Sequence, residues 1–152
     1  MKKVSVIIPT HNCENSIGKV LSALERQDYG NFDVVIVDDN SQDKTIEVIS
    51  AFLNKQFRLI RNESNLGLAK SMNRGIREST GEVVITLHDD CVPLSDDWIR
   101  KLVETFDTDP KIAIVSSRFL IRFNELGFWD KLFSFAYFLG DDMSLDTEEM
   151  KQ

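Results

Sequence analysis

Apolar residues fall along this chain in short continuous blocks separated by spaced stripes. Val4-Ser5-Val6-Ile7-Ile8 predicts a buried strand that Pro9 stops. Over residues 15–27, Ile17, Val20, Leu21 and Leu24 recur at helical spacing, with Asn15 or Ser16 as the cap. Val34 to Val37 predicts a second strand ending at Asp38-Asp39. A helix opening at Ser41 or Asp43 follows, with Ile46, Ile49, Phe52 and Leu53 on its apolar face. Phe57 to Ile60 predicts a short third strand, residues 67–79 a helix closed by Gly81, and Val83 to Leu87 a fourth strand. The unbroken apolar run of that fourth strand predicts burial on both faces. A helix from Ser95 or Trp98 to Phe106 and a strand from Ile112 to Val115 complete the pattern.

Strands that alternate with helices imply right-handed crossovers and a mostly parallel sheet flanked by helices, an α/β, Rossmann-like fold. Ligands of such sheets bind outside the carboxyl ends of the strands. Three polar stretches fall at those ends: Pro9-Thr10-His11-Asn12, Asp38-Asp39-Asn40-Ser41 and His88-Asp89-Asp90. Distant in sequence, they converge on one sheet edge.

Composition narrows the function. The chain has 152 residues, which suits one principal domain, and 28% of them are charged. A net charge of −7 argues against a general nucleic-acid binder, which shows a basic face. No run of about 18 apolar residues predicts a membrane span, and Met1-Lys2-Lys3 opens no signal peptide. Cys13 and Cys91 lack metal-ligand spacing, so a reducing, cytoplasmic setting is the expectation.

Each polar stretch has a structural and a chemical reading. Asp89 and Asp90 are either a turn after a strand or carboxylates for Mg²⁺ or Mn²⁺, which take oxygen ligands and share them with phosphates. Side chains alternate along an extended chain, so one of the two faces the crevice. Asp38-Asp39 either caps the next helix or accepts hydrogen bonds from a ribose or base, and both readings are compatible. Asn65-Leu66-Gly67 opens a helix whose first N–H groups could meet an anion, with Lys70 and Arg74 adding positive charge. The plain alternative is an ordinary helix with a solvated basic face. His11 could stack on a base, and His88 could bind a metal or tune Asp90.

These stretches together resemble the amino-terminal half of family 2 glycosyltransferases, the inverting class with the GT-A fold. Val4 to Asn12 is similar to the family's opening, where a Tyr usually stands at His11. Val37 to Asp43 resembles its nucleoside-binding strand end. Asn65 to Gly75 resembles its Asn-x-Gly…Asn-x-Gly helix, and Gly81 to Asp90 the strand leading to its Asp-x-Asp metal motif. The resemblance covers residues 3–118 and implies a nucleoside-diphosphate-sugar donor, commonly a UDP-sugar. It also implies a glycan or lipid-linked acceptor and a divalent cation, Mg²⁺ or Mn²⁺. It assigns donor binding to Pro9, Thr10, His11, Asn12, Asp38, Asp39, Asn65, Gly67, Lys70, Asn73 and Asp89. Asp90 is assigned to the metal. The departures are His88 in place of the motif's first Asp, and Ser71-Met72 in place of Ala-Arg before Asn73.

Family members usually continue into a half that holds the acceptor site and an acidic base. Within Gly140-Asp141-Asp142, Asp142 is this chain's candidate for that base. An alternative is therefore a donor-binding module that lacks turnover or needs a partner to complete its site. A dinucleotide-binding domain would show Gly-x-Gly-x-x-Gly after strand one, and a receiver domain fits Pro9 and the Asn65–Gly75 helix less well. Residues 119–140 form an aromatic amphipathic segment. Six of the ten phenylalanines lie in 119–138. That segment predicts a helix packed on the sheet, or a face for the cytoplasmic membrane surface or a second subunit. Residues 141–152 are an acidic tail expected to fray.

Overall fold

The computed structural model describes residues 1–109. The expected strand over 112–115, the aromatic segment, the tail and Asp142 lie outside the described residues. The elements are β1 (Val4–Thr10), α1 (Ile17–Glu25), β2 (Phe32–Asp38), α2 (Thr45–Ser50), β3 (Phe57–Arg61), α3 (Leu68–Glu78), β4 (Val83–Thr86) and α4 (Trp98–Thr108). Four parallel strands lie in the order β3-β2-β1-β4. The chain builds outward from β1 to β3, then returns over the sheet to set β4 on the other side of β1. The strand order therefore reverses between β1 and β4, the place where such sheets open a crevice.

The two faces are filled differently. Val4, Val6 and Ile8 pack with Ile17, Val20, Leu21 and Leu24 of α1 and with Ile99 and Val103 of α4. Fully burying each such side chain contributes roughly 1.5–3 kcal/mol. The opposite face carries a smaller cluster of Ile7, Val35 and Val37, with Ile60 and Met72 against it. There α3 turns small residues inward, Ser71 and Gly75 being its buried positions. A Cβ on Gly75 would overlap the Ile7 Cγ2 methyl and meet Val37 Cγ2 at 3.1 Å. Glycine here lets α3 lie close on β1 and β2.

Several local expectations change. Strand β1 runs through Pro9 to Thr10. The Leu87 N–H donates to the Ile7 carbonyl, so Ile7 and Pro9 both face β4. Pro9 lies past Thr86, the last β4 residue in register, and its missing N–H breaks no ladder. Strand β4 is not buried on both faces, because Val84 and Thr86 are exposed while Val83 and Ile85 are buried. An apolar run alone does not separate a central strand from one with an open face. Helix α3 ends at Glu78 with Ser79 at the cap position, not Gly81. Gly81 is instead required by its crowding against the Ser5 backbone, and its N–H donates to Ser5 Oγ at 2.9 Å. Helix α2 begins at Thr45. Asp43 supports its start by accepting from the Thr45 N–H at 3.0 Å, and Leu53 is exposed. Helix α1 begins at Ile17 with Ser16 at the cap position, but the Ser16 hydroxyl donates to the Cys13 carbonyl. Among the described residues, no helix is long and apolar enough to cross a membrane.

Candidate functional site

The loops that leave β1 and β2 are laced together residue by residue. Asn12 and Asn40 both adopt left-handed backbone conformations, with φ of 52° and 60°, which Asn tolerates better than most side chains. That curl turns the Asn12 N–H to Ser41 Oγ at 2.9 Å and its side-chain oxygen to the Gln42 N–H at 2.8 Å. The Cys13 N–H donates to Thr45 Oγ1 at 2.7 Å, and the Glu14 N–H to Asp43 at 3.2 Å. Glu14 returns the bond by accepting from the Lys44 N–H at 2.8 Å. Asn12 is thus a structural residue of this joint.

Asp38 and Asp39 divide their work. Asp38 is fully buried and accepts from the Ser41 N–H and from Arg61 Nε, each at 3.2 Å. It holds the turn. Asp39 Oδ1 accepts from the Asn62 amide at 2.7 Å and the Leu66 N–H at 2.8 Å, and its Oδ2 from the Gly67 N–H at 2.7 Å. Burial by itself would raise the Asp39 carboxyl. The bonds from Leu66, Asn62, Gly67 and Ser71 outweigh it and hold the group below the usual carboxylate range. The anion met by the amides before α3 is therefore Asp39 itself.

His11 joins three segments. Its Nδ1 lies 2.8 Å from the Asp39 carbonyl, and its Nε2 lies 3.1 Å from the Asn12 amide and 3.2 Å from the Asn65 amide. Both amide oxygens are already committed, Asn12 to the Gln42 N–H and Asn65 to the Gly67 N–H. Their NH₂ groups must then face the ring. This network assigns the proton to Nδ1, which donates to the carbonyl, and leaves Nε2 to accept.

A cleft of about 250 Å³ opens above this network at the β1–β4 reversal. Seven residues expected at the donor site line it: Pro9, Thr10, His11, Asp39, Asn65, Gly67 and Asp89. Leu68, Ser71 and His88 complete the wall. Asn12, Asp38, Lys70, Asn73 and Asp90 do not line it. Lys70 and Asn73 are exposed on α3, and Arg74 is turned to the Arg61 carbonyl and Asn62 Oδ1. Sequence reading missed Asn62, which is buried behind Asp39. Its signal was available, because it directly follows a strand, as the other polar stretches do.

The β4 end is loosely held. Asp89 accepts from the His11 N–H at 3.4 Å and lies beside the Cys13 thiol, and Asp90 accepts from the Cys91 thiol at 3.4 Å. Two carboxylates with spare lone pairs suit a hard divalent cation. Among the described residues no cluster of three His, Cys, Asp or Glu side chains joins them. Such a cation would draw its remaining ligands from phosphate and water, as Mg²⁺ commonly does. Neither thiol competes as a nucleophile. Burial first, then the nearby Asp89, pushes Cys13 up to about 12, and burial with Asp90 pushes Cys91 up to about 11.

The family model that matches is Glycosyl transferase family 2, over residues 5–149. The chain is 36% identical over 105 residues to poly(ribitol-phosphate) beta-N-acetylglucosaminyltransferase TarS of Staphylococcus aureus, covering 66% of this chain and 17% of that protein. It is 34% identical over 116 residues to dolichol-phosphate mannosyltransferase of Pyrococcus furiosus, covering 75% of this chain and 33% of that protein. Among solved structures, S. aureus TarS 1–349 in complex with UDP-GlcNAc superposes with a TM-score of 0.67 at 28% identity, covering 79% of this chain and 37% of that one. The mannosyltransferase PcManGT of Pyrobaculum calidifontis, in complex with GDP-Man and Mn²⁺, superposes with a TM-score of 0.73 at 27% identity, covering 86% and 38%. The chain thus spans less than two fifths of the length of each of these relatives.

Proposed function

The chain belongs to glycosyl transferase family 2, and from that premise we propose that it transfers a sugar, with inversion, from a nucleoside-diphosphate sugar to an acceptor hydroxyl. The observation that carries this reading is the cleft at the β1–β4 reversal, with His11, Asp39 and Asn65 on one wall and Asp89 on another. UDP-GlcNAc and GDP-Man bound to the two superposed structures support a nucleotide-sugar donor. A UDP-sugar is the favoured donor here.

In this reading the nucleoside lies against Pro9 to His11, and its base meets the His11 ring and the Asp39 carboxylate. The Asn65–Gly67 turn closes the same end. Asp89 lies near the ribose or donor sugar, and Asp90 would hold a Mg²⁺ or Mn²⁺ that would neutralise charge on the departing nucleoside diphosphate. The residues of the cleft bind and align the donor, and alignment is a large share of the rate in single displacements. The acceptor proton goes to an acidic base beyond residue 109, for which Asp142 is the candidate. The acceptor is a glycan or a lipid-linked sugar. The aromatic 119–138 segment is assigned to a membrane-surface or subunit contact on the cytoplasmic side.

Thermal unfolding tests the donor site directly. The chain is heated with UDP, GDP, dTDP or ADP, each with and without Mg²⁺ or Mn²⁺. A ligand at about 100 times its dissociation constant adds roughly 2.7 kcal/mol. That corresponds to a shift of about 5–10 °C for a domain of this size. A metal-dependent shift with one nucleotide is expected. The absence of any shift across the panel would overturn the reading.

A further inference from the structure

Asn62 does not line the cleft, yet it sets the state of a residue that does. It is buried to 3% exposure at the end of β3. Its N–H donates to the Asp38 carbonyl at 2.8 Å, which fixes its backbone. Its side-chain oxygen accepts from Arg74 at 2.5 Å, which fixes the amide's orientation. The NH₂ group must then face inward, where it donates to Asp39 Oδ1 at 2.7 Å and to Ser71 Oγ at 2.8 Å.

The consequence follows from counting acceptor positions. A carboxylate offers about four, two on each oxygen. On Asp39, Oδ1 takes both Asn62 and the Leu66 N–H, whereas Oδ2 takes only the Gly67 N–H. The Ser71 hydroxyl also helps hold the carboxylate charged, but it is a rotor that can turn away. Among the fixed N–H donors, Oδ1 is full and Oδ2 has one position left. Uracil presents a single ring N–H between two carbonyls. Guanine presents two N–H groups side by side, which require both oxygens of a carboxylate.

We propose that Asn62 is a specificity-determining residue that acts through Asp39: by filling Oδ1 it leaves a single acceptor, which selects a uracil-type base over guanine. This rests on reading the cleft as the nucleoside site. A guanine bound here would find no second position on the Asp39 carboxylate for its other N–H, and such unmade bonds are discriminating.

Isothermal titration of the whole chain with UDP and with GDP, both in Mg²⁺, tests this. UDP is expected to bind the wild-type chain at least about tenfold more tightly than GDP. Asn62→Ala, with Asn62→Ser beside it as the milder change, is expected to weaken both but to bring the ratio below about threefold. A purely structural role would weaken both nucleotides equally and leave the ratio unchanged, which would overturn the proposal. Equal binding of UDP and GDP by the wild-type chain would also overturn it, with no variant needed. Binding of neither nucleotide would remove the donor-site reading and this inference together.

Discussion

The two sides of the cleft are built to different standards. On the β1–β2 side, His11, Asn12, Cys13 and Glu14 each spend backbone or side-chain groups on the facing loop, mostly at 2.7–3.2 Å. On the β4 side, the contacts are long or to thiols: Asp89 meets the His11 N–H at 3.4 Å and the Cys13 thiol, and Asp90 meets the Cys91 thiol at 3.4 Å. A wall whose polar groups are satisfied internally keeps its shape before any ligand arrives. A wall with unspent carboxylates leaves coordination to be completed from outside. The difference fits the proposed donor, whose nucleoside end would be read by shape and whose charged end would be held by electrostatics.

Breaking the rigid side carries the largest cost. Gly75→Ala forces a methyl against Ile7 under α3, and overpacking of this kind costs about 3 kcal/mol at its upper range. Urea unfolding would show a lowered midpoint with an unchanged slope. Thr45→Val removes the acceptor for the buried Cys13 N–H, and an orphaned donor costs about 1–3 kcal/mol. The same urea experiment measures it, and nucleotide binding should weaken alongside.

Acid sharpens the comparison further. The folded Asp39 carboxyl is held below its ordinary value. Its contribution is therefore complete above the unfolded value, about 3.9, and is lost as pH falls toward the lowered folded value. Stability measured from pH 6 down to pH 2 should fall with a slope that Asp39→Asn flattens. The smallest effect on stability is expected at the open side. Asp90→Asn should change unfolding by no more than about 0.5 kcal/mol, yet abolish the Mg²⁺-dependent part of any nucleotide-induced thermal shift. Equal stability losses from Asp90→Asn and Thr45→Val would erase the distinction between the two walls.

Much of this arrangement is legible in the order of residues alone. Alternating strands and stripes foretell the parallel sheet, and the rule of strand ends foretells that Thr10, Asp39 and Asp89 meet. What sequence does not carry is which oxygen of which acid is already occupied. Asp38 and Asp39 are adjacent and chemically identical. Only the turn at Asn40 and the arrival of Leu66 and Gly67 from a distant segment make one a buried brace and the other part of the cleft wall. Asn62 escapes notice for the same reason, since its partners Asp39, Ser71 and Arg74 come from two other segments. The open face of β4 escapes because Val83 to Leu87 is apolar whether or not a neighbour covers it.

The reversal in strand order also has a consequence in time. Strand β1 is buried along its whole length, yet its two neighbours emerge from the ribosome at very different moments. Val4 pairs with Phe32 on one side and with Val83 on the other. At roughly 5–20 residues per second, the second neighbour follows β1 by about 4–16 s. Through that interval a largely apolar strand waits with one edge unmatched, the condition under which nascent chains stick to one another. The first segment to be synthesised is thus among the last to be finished, and it is here that a chaperone would act on this fold.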